Sequence, residues 1–184
     1  MKYIGKKKTS KTICGSKYPT SDNIKNRTST IARSMACTLA KCTPCSPEDE
    51  LKWYEIFRSE EGDDLRCAYC GGVATHLDHL RPLIKDIYPT GYGSDPGNLA
   101  PCCAKCNQSK GNLDWDVYMK GEKCMHVDDK IQQRIERIEK LQQTFPPHHN
   151  GIVNDPQFRK DWDSAYKDCC DALRKAQEVL EKYK

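Results

Sequence analysis

Two Cys-x2-Cys pairs stand out, Cys67-Ala-Tyr-Cys70 and Cys103-Ala-Lys-Cys106. Each can form a knuckle, and together Cys67, Cys70, Cys103 and Cys106 offer four thiolates, enough to close a tetrahedral Zn2+ with no open position. A closed site is a structural staple, of most value where the apolar core is small. Between the knuckles lies Asp78-His79, and directly after the last cysteine comes Asn107, with Lys110 three residues on along the same helix face. A carboxylate and an amide oxygen are hard ligands suited to Mg2+ or Mn2+. Two protein oxygens leave the other positions to water and a substrate phosphate. A histidine beside them can act as general base near neutral pH. Base, hard cation and nearby positive charge are the parts needed to hydrolyse a phosphodiester.

The segment reads Cys67-Ala-Tyr-Cys70, His76-Leu-Asp78-His79-Leu-Arg-Pro82, then Asn98-Leu-Ala-Pro-Cys-Cys103-Ala-Lys-Cys106-Asn107-Gln-Ser-Lys110-Gly111. Over residues 65–115 it resembles the HNH endonucleases, the ββα-metal nucleases, in the subset braced by a four-cysteine zinc site. The resemblance implies Asp78 as metal ligand, His79 as general base, and Asn98 as the residue that holds the His79 loop and imidazole. It implies Asn107 as the second metal ligand, where many members carry the last histidine of the name, and Lys110 as a phosphate contact or brace. It further implies 5′-phosphate and 3′-hydroxyl products. The strings Pro89-Thr-Gly-Tyr92 and Cys106-Asn-Gln-Ser-Lys-Gly111 resemble HNH proteins of restriction systems, so a type II restriction endonuclease acting on double-stranded DNA is the expected function. A homing, phage or defence-system nuclease or nickase would share the site. An RNA-cutting toxin and a non-catalytic zinc-bound DNA-binding protein are the readings from other classes, and intact Asp78, His79 and Asn107 argue against the last.

The elements that must position these residues give an α+β fold, a small zinc-braced ββα core flanked by helices. Three regions are expected: a basic cysteine-containing segment over 1–45, the nuclease core with a leading helix over 46–120, and a helical region over 121–184. Ser46-Pro47-Glu48-Asp49 reads as a helix start, with Ser as N-cap, Pro first and acids in the first turn. Leu51, Tyr54 and Phe57, with Trp53 and Ile56, predict its apolar face, and Gly62 its stop. Gly71-Gly72 predicts a turn between two short strands, the second running from Val73 to Leu80. Residues 85–97 read as loop, and a short helix is expected from about Cys103 to Gly111. Ile131, Ile135, Ile138, Leu141 and Phe145 predict an amphipathic helix over 128–145. Trp162, Tyr166, Cys169, Leu173, Ala176, Leu180 and Tyr183 predict another over roughly 158–183. With these two stripes and only a small core to bury them, one stripe is free for a second copy; otherwise the helices pack on each other. A double-strand cut favours a homodimer.

Composition points the same way. The chain has 184 residues with a formal charge of +4, but residues 1–47 carry ten Lys/Arg against one acid, Asp22. Such a basic front segment, with residues 1–36 lacking a clear hydrophobic period, reads as an arm for an anionic partner, nucleic acid before membrane. No apolar run approaches a membrane span and the start lacks a secretory h-region, so a cytoplasmic protein is expected. There, 12 cysteines favour metal over disulfides. Cys14, Cys37, Cys42 and Cys45 offer a second zinc site or free thiols, and the Cys37-x4-Cys42-x2-Cys45 spacing also fits an iron–sulfur pattern. Cys102 and at least one of Cys169-Cys170 read as packing residues. His76 shares a strand face with Asp78, while His126, His148 and His149 lack partners at ligand spacing.

Overall fold

The computed structural model describes residues 28–40, 44–58, 64–124 and 128–183. The expectations on Cys14, Cys42, His126 and the first part of the basic arm lie outside these residues.

Helix α1 (Thr28–Leu39) falls inside the stretch read as an arm without hydrophobic period. Its buried face is Ala32 and Ala36, two small residues that counting large apolar side chains does not register. Helix α2 (Pro47–Phe57) starts as expected: the Ser46 hydroxyl accepts from Asp49 N–H at 3.1 Å, with Pro47 first and Glu48, Asp49 and Glu50 following. It stops five residues before Gly62, because Arg58 is already extended and bridges to Leu65. Its core face is Ile56 and Phe57 with Trp53 packed beside them, while Leu51 is exposed.

The strand pairing differs from expectation. The Cys67–Cys70 turn is flanked only by an isolated bridge between Arg66 and Val73. Strand β1 (His76–His79) pairs instead with a distant strand. Numbering in chain order, β2 (Ile84–Lys85) and β3 (Tyr88–Pro89) form a small hairpin inside the stretch read as loop, and β4 (Leu99–Cys102) is the antiparallel partner of β1. The register sets Asp78 opposite Ala100 and His79 opposite Leu99. Two-residue strands around an Asp86-Ile87 turn lie below what hydrophobic alternation can signal.

Helix α3 (Ala104–Lys110) follows β4 and completes the ββα unit. Gly111 caps it at φ 51°, a left-handed conformation that glycine takes without strain. A short helix not expected from sequence, α4 (Trp115–Lys120), buries Trp115, Tyr118 and Met119. Helix α5 (Ile131–Thr144) buries Ile138 and Leu141 with Ile131, Ile135 and Phe145 partly covered, close to the stripe its spacing predicts. These residues meet Phe57, Tyr69, Leu80, Ala100 and Cys102 in the main core. At its end α5 lies on Gly97, where an added Cβ would sit 1.7 Å from the Phe145 carbonyl oxygen, so only glycine fits.

Helix α6 (Pro156–Glu181) is as long as expected, but only its first half packs. Trp162 is buried with Ala32, Ala36 and Ile84, and Phe158 and Tyr166 are packed against them, in a second core that docks α1 on the β2–β3 hairpin. The Trp162 indole also donates to Ile87 O at 3.1 Å. Val179, Leu180 and Tyr183 are exposed, so the sequence stripe marks a packing face over half its length. The two long helices find their main partners in different places, α5 on α2 and α4, α6 on α1. Among the described residues no helix is long and apolar enough to cross a membrane.

Candidate active site and thiol cluster

The first knuckle is a tight turn held by two backbone bonds, Gly71 N–H to Cys67 O at 2.9 Å and Cys67 N–H to Gly72 O at 2.7 Å. The second opens α3, where the Cys103 sulfur caps the helix by accepting from Cys106 N–H at 3.5 Å. The pairing of β1 with β4 brings the two together: the four sulfurs lie within 4.8 Å of one another, and Cys70 and Cys103 are 3.8 Å apart. A tetrahedral zinc with Zn–S bonds of about 2.3 Å has sulfur–sulfur edges of about 3.8 Å. The thiols also compete for charge. A hydrogen bond from Cys106 pulls Cys67 down to about 5, while burial pushes Cys70 up to about 11. Four thiolates this close need a cation to offset their repulsion. Donor type, number and spacing all fit Zn2+. Among the other cysteines, Cys102 is fully buried and burial pushes its thiol up to about 12, as suits an inert packing residue. Cys37 and Cys45 are exposed, and the Cys42 needed beside them lies outside the described residues.

Asp78 comes off β1 facing α3 and is almost fully buried. Its Oδ2 accepts from the Tyr69 hydroxyl at 2.6 Å and pairs with Lys110 Nζ at 3.0 Å. Oδ1 has no hydrogen bond among the described residues, and Asp78 lines an open cleft. The Lys110 ammonium is fully buried and also donates to His79 O at 2.8 Å, so it is enclosed by protein and out of reach of a substrate phosphate in this arrangement.

The His79 imidazole lies beside Asp78, with Nε2 2.9 Å from Ser94 Oγ. Burial, followed by the charges of Arg33 and Lys110, holds its pKa below the ordinary 6.5 against the opposing pull of Asp78. Asn98 does not touch the ring. Its Oδ1 accepts from Arg81 N–H at 2.7 Å, and its Nδ2 donates to Arg81 O and Gly93 O, each at 2.9 Å. Asn98 thus ties the backbone just after β1, at Arg81, to Gly93, the residue before Ser94, and Ser94 holds the imidazole. Arg81 is itself held by Asp116 at 2.8 Å and Asp114 at 3.3 Å.

Asp78, His79 and Asn107 all line a cleft of about 370 Å³. Ser29, Thr30 and Arg33 of α1 line it as well. His76 does not line it; it is exposed, with Nδ1 2.8 Å from Thr75 Oγ1. His148 and His149 lie in the segment after α5, and His149 packs edge-on against Tyr92. Sequence reasoning missed Tyr69, Ser94 and Arg33. Tyr69 carried a faint signal, a tyrosine inside a knuckle, but the other two depend on contacts that spacing does not reveal. Asp78 and Asn107, both lining the cleft, carry hard oxygens of the kind that suit Mg2+ or Mn2+.

Residues 67–113 match the family model of the HNH endonucleases. The chain is also 31% identical over 87 residues to the CRISPR-associated endonuclease Cas9 of Corynebacterium diphtheriae. That match spans 44% of this chain and 7% of the relative. No solved structure matches.

Proposed function

We propose that this chain, whose residues 67–113 match the family model of the HNH endonucleases, is a metal-dependent DNA endonuclease of restriction type, cutting double-stranded DNA as a homodimer. The observation that carries the nuclease reading is the single cleft that gathers Asp78, His79 and Asn107 beside the thiol cluster. The relative's name, an endonuclease, is in keeping with it. The restriction role rests on the strings around Pro89–Tyr92 and Cys106–Gly111.

In this reading the chain's own residues do the following. Asp78, through Oδ1, and Asn107 would hold one Mg2+ or Mn2+. When bound, such a cation stabilises charge developing on a phosphate and its departing oxygen. Lys110 and Tyr69 fix the carboxylate by occupying Oδ2 and leaving Oδ1 to the cleft. When Nε2–H of His79 donates to Ser94, Nδ1 is the ring's acceptor. His79 then takes a proton from water, and the hydroxide attacks the phosphorus in line. Asn98 sets the loop from which Ser94 orients the ring. Zn2+ on the four cysteines would take no part in the chemistry and would hold the Cys67–Cys70 turn against the start of α3.

The test is incubation with supercoiled plasmid and Mg2+, with EDTA and His79→Ala as controls, followed by sequencing of the ends. Discrete double-strand fragments support the restriction role. Nicks alone replace it with the homing or defence-type nickase. An intact plasmid under all conditions removes the nuclease reading.

A further inference from the structure

The cleft has a second wall that the HNH segment does not supply. Ser29, Thr30 and Arg33 come from α1, more than 30 residues before the first knuckle. On a helix, positions 29, 30 and 33 share one face. Helix α1 has the sequence TSTIARSMACTL and contains no acid, so this face offers two hydroxyls and a guanidinium with no carboxylate between them. The adjoining face is fixed: Ala32 and Ala36 are 0% and 2% exposed against Ile84 and Trp162. Alanine at these positions lets the helix backbone approach the hairpin closely, and the second core holds Arg33 at the cleft.

The cations around the cleft divide by partner. Lys110 is buried on Asp78, and Arg81 is paired with Asp114 and Asp116. Among the described residues that line the cleft Arg33 is the one cation. It is exposed and forms no salt bridge among the described residues. A guanidinium presents a planar fork of donors that matches phosphate oxygens.

We propose that α1 is a phosphate clamp: Arg33, with Ser29 and Thr30 beside it, binds a backbone phosphate of the nucleic-acid strand lying in the cleft. Helix α6 then has a function in turn, since its Trp162 is what seats the clamp. The identification of the cleft as a reaction centre rests on the nuclease reading above; binding of a phosphodiester backbone by Arg33 does not.

The experiment separates the two. Affinity of the full chain for a short fluorescent DNA duplex is measured by anisotropy across a salt series, without added Mg2+ or Mn2+ so that nothing is cut. The set comprises wild type, Arg33→Ala, Arg33→Lys and, as a charge-matched control, Arg174→Ala on the far half of α6. Arg33→Ala is expected to bind about tenfold more weakly, with the slope of log affinity against log salt shallower by about 0.9. Arg33→Lys should keep the slope, and Arg174→Ala should match wild type. An unchanged slope in Arg33→Ala, an equal loss in Arg174→Ala, or no duplex binding by wild type overturns the clamp. Because Arg33 is exposed, equal melting temperatures across the set are expected. Cleavage with Mg2+ is scored separately. A chain that shows the slope change and never cuts loses the nuclease reading and keeps the clamp. One that cuts with an unchanged slope loses the clamp alone.

Discussion

Tyr69 and Asp78 are joined by a hydrogen bond of 2.6 Å from the phenol to the carboxylate Oδ2. Tyr69 stands between two zinc-ligand candidates, Cys67 and Cys70, so the turn that presents the thiols also aims the carboxylate. The phenol stays a donor, because burial and then the Asp78 charge push its pKa well above 10. Its ring is fixed by the edge of Tyr118, 5.3 Å away at 85°. Tyr69→Phe keeps the packing and removes only the donor. Cleavage should fall by about tenfold or more, in line with outer-shell changes at metal sites, while zinc content stays at the wild-type level. Unchanged kcat would mean that Lys110 alone orients Asp78.

The thiol cluster should hold one tightly bound Zn2+ per chain. Binding energy at such sites is largely folding energy, about 10 kcal/mol or more for small zinc modules, and here the cluster fastens the Cys67–Cys70 turn to α3. Cys103→Ser removes a ligand and weakens the cap on Cys106 N–H, so metal and cooperative unfolding should be lost together. Elemental analysis against a melting curve checks this. A folded wild-type sample without zinc would end the idea, and a content near two would favour a second site in the front segment, where Cys14, Cys37, Cys42 and Cys45 lie.

Asp78→Ala and Asn107→Ala should both abolish cleavage, but their effects on stability should differ. Removing Asp78 strands the buried Lys110 ammonium, and breaking one side of a buried pair costs about 3–5 kcal/mol. Asn107 is half-buried on a helix, and alanine there costs little. Sequence alone gives no reason to separate them, and reads both as leaving the fold intact. Denaturant titration should place Asp78→Ala far below wild type and Asn107→Ala close to it. Equal stability would show that Lys110 finds another acceptor.

That contrast marks what the sequence could carry. The knuckles, the Ser46 cap, the α3 span from Cys103 to Gly111 and the α5 stripe were legible because each is a local pattern with its own chemistry. The pairing of β1 with β4 was not, since it joins residues such as Asp78 and Ala100 across a long interval. Helix α1 was hidden by an alanine face. The stripe on α6 was visible throughout, but spacing says only that a face is apolar, not what covers it. Asp78, His79 and Asn107 were readable as types at known intervals. Tyr69 and Ser94 act on them through tertiary hydrogen bonds, and Arg33 reaches the cleft from a distant helix; beyond the place of Tyr69 inside a knuckle, no interval betrays them.

His79 gives a pH prediction. A general base works in its neutral form, and burial first, then Arg33 and Lys110, lower its pKa from 6.5. Lowering the pKa keeps the neutral form to more acid pH, so the acid limb of the cleavage profile should lie below pH 6.5. Replacing Arg33 by Ala removes one of the lowering charges and should move that limb upward. A profile measured at constant ionic strength checks both. A wild-type limb above pH 6.5 would remove His79 as the base.

Assembly is tested at the far half of α6. One cleft holds one candidate base, so under the proposed function one chain would cut one strand per binding event, and a double-strand cut would call for two copies. Helices α5 and α6 do not satisfy each other's stripes; α5 is spent on the main core and the first half of α6 on α1. Leu173 is half-buried, while Val179 and Leu180 are 52% and 60% exposed, and they continue the stripe beyond α1. An exposed apolar helix face is the kind of surface a two-fold interface can bury. Light scattering at micromolar concentration, with and without DNA, should give a dimer for wild type. Val179→Asp with Leu180→Asp should give a folded monomer, because neither side chain is part of a core. The same variant should nick plasmid and fail to make double-strand cuts. A wild-type monomer in both states that only nicks would defeat the dimer and, with it, the restriction role.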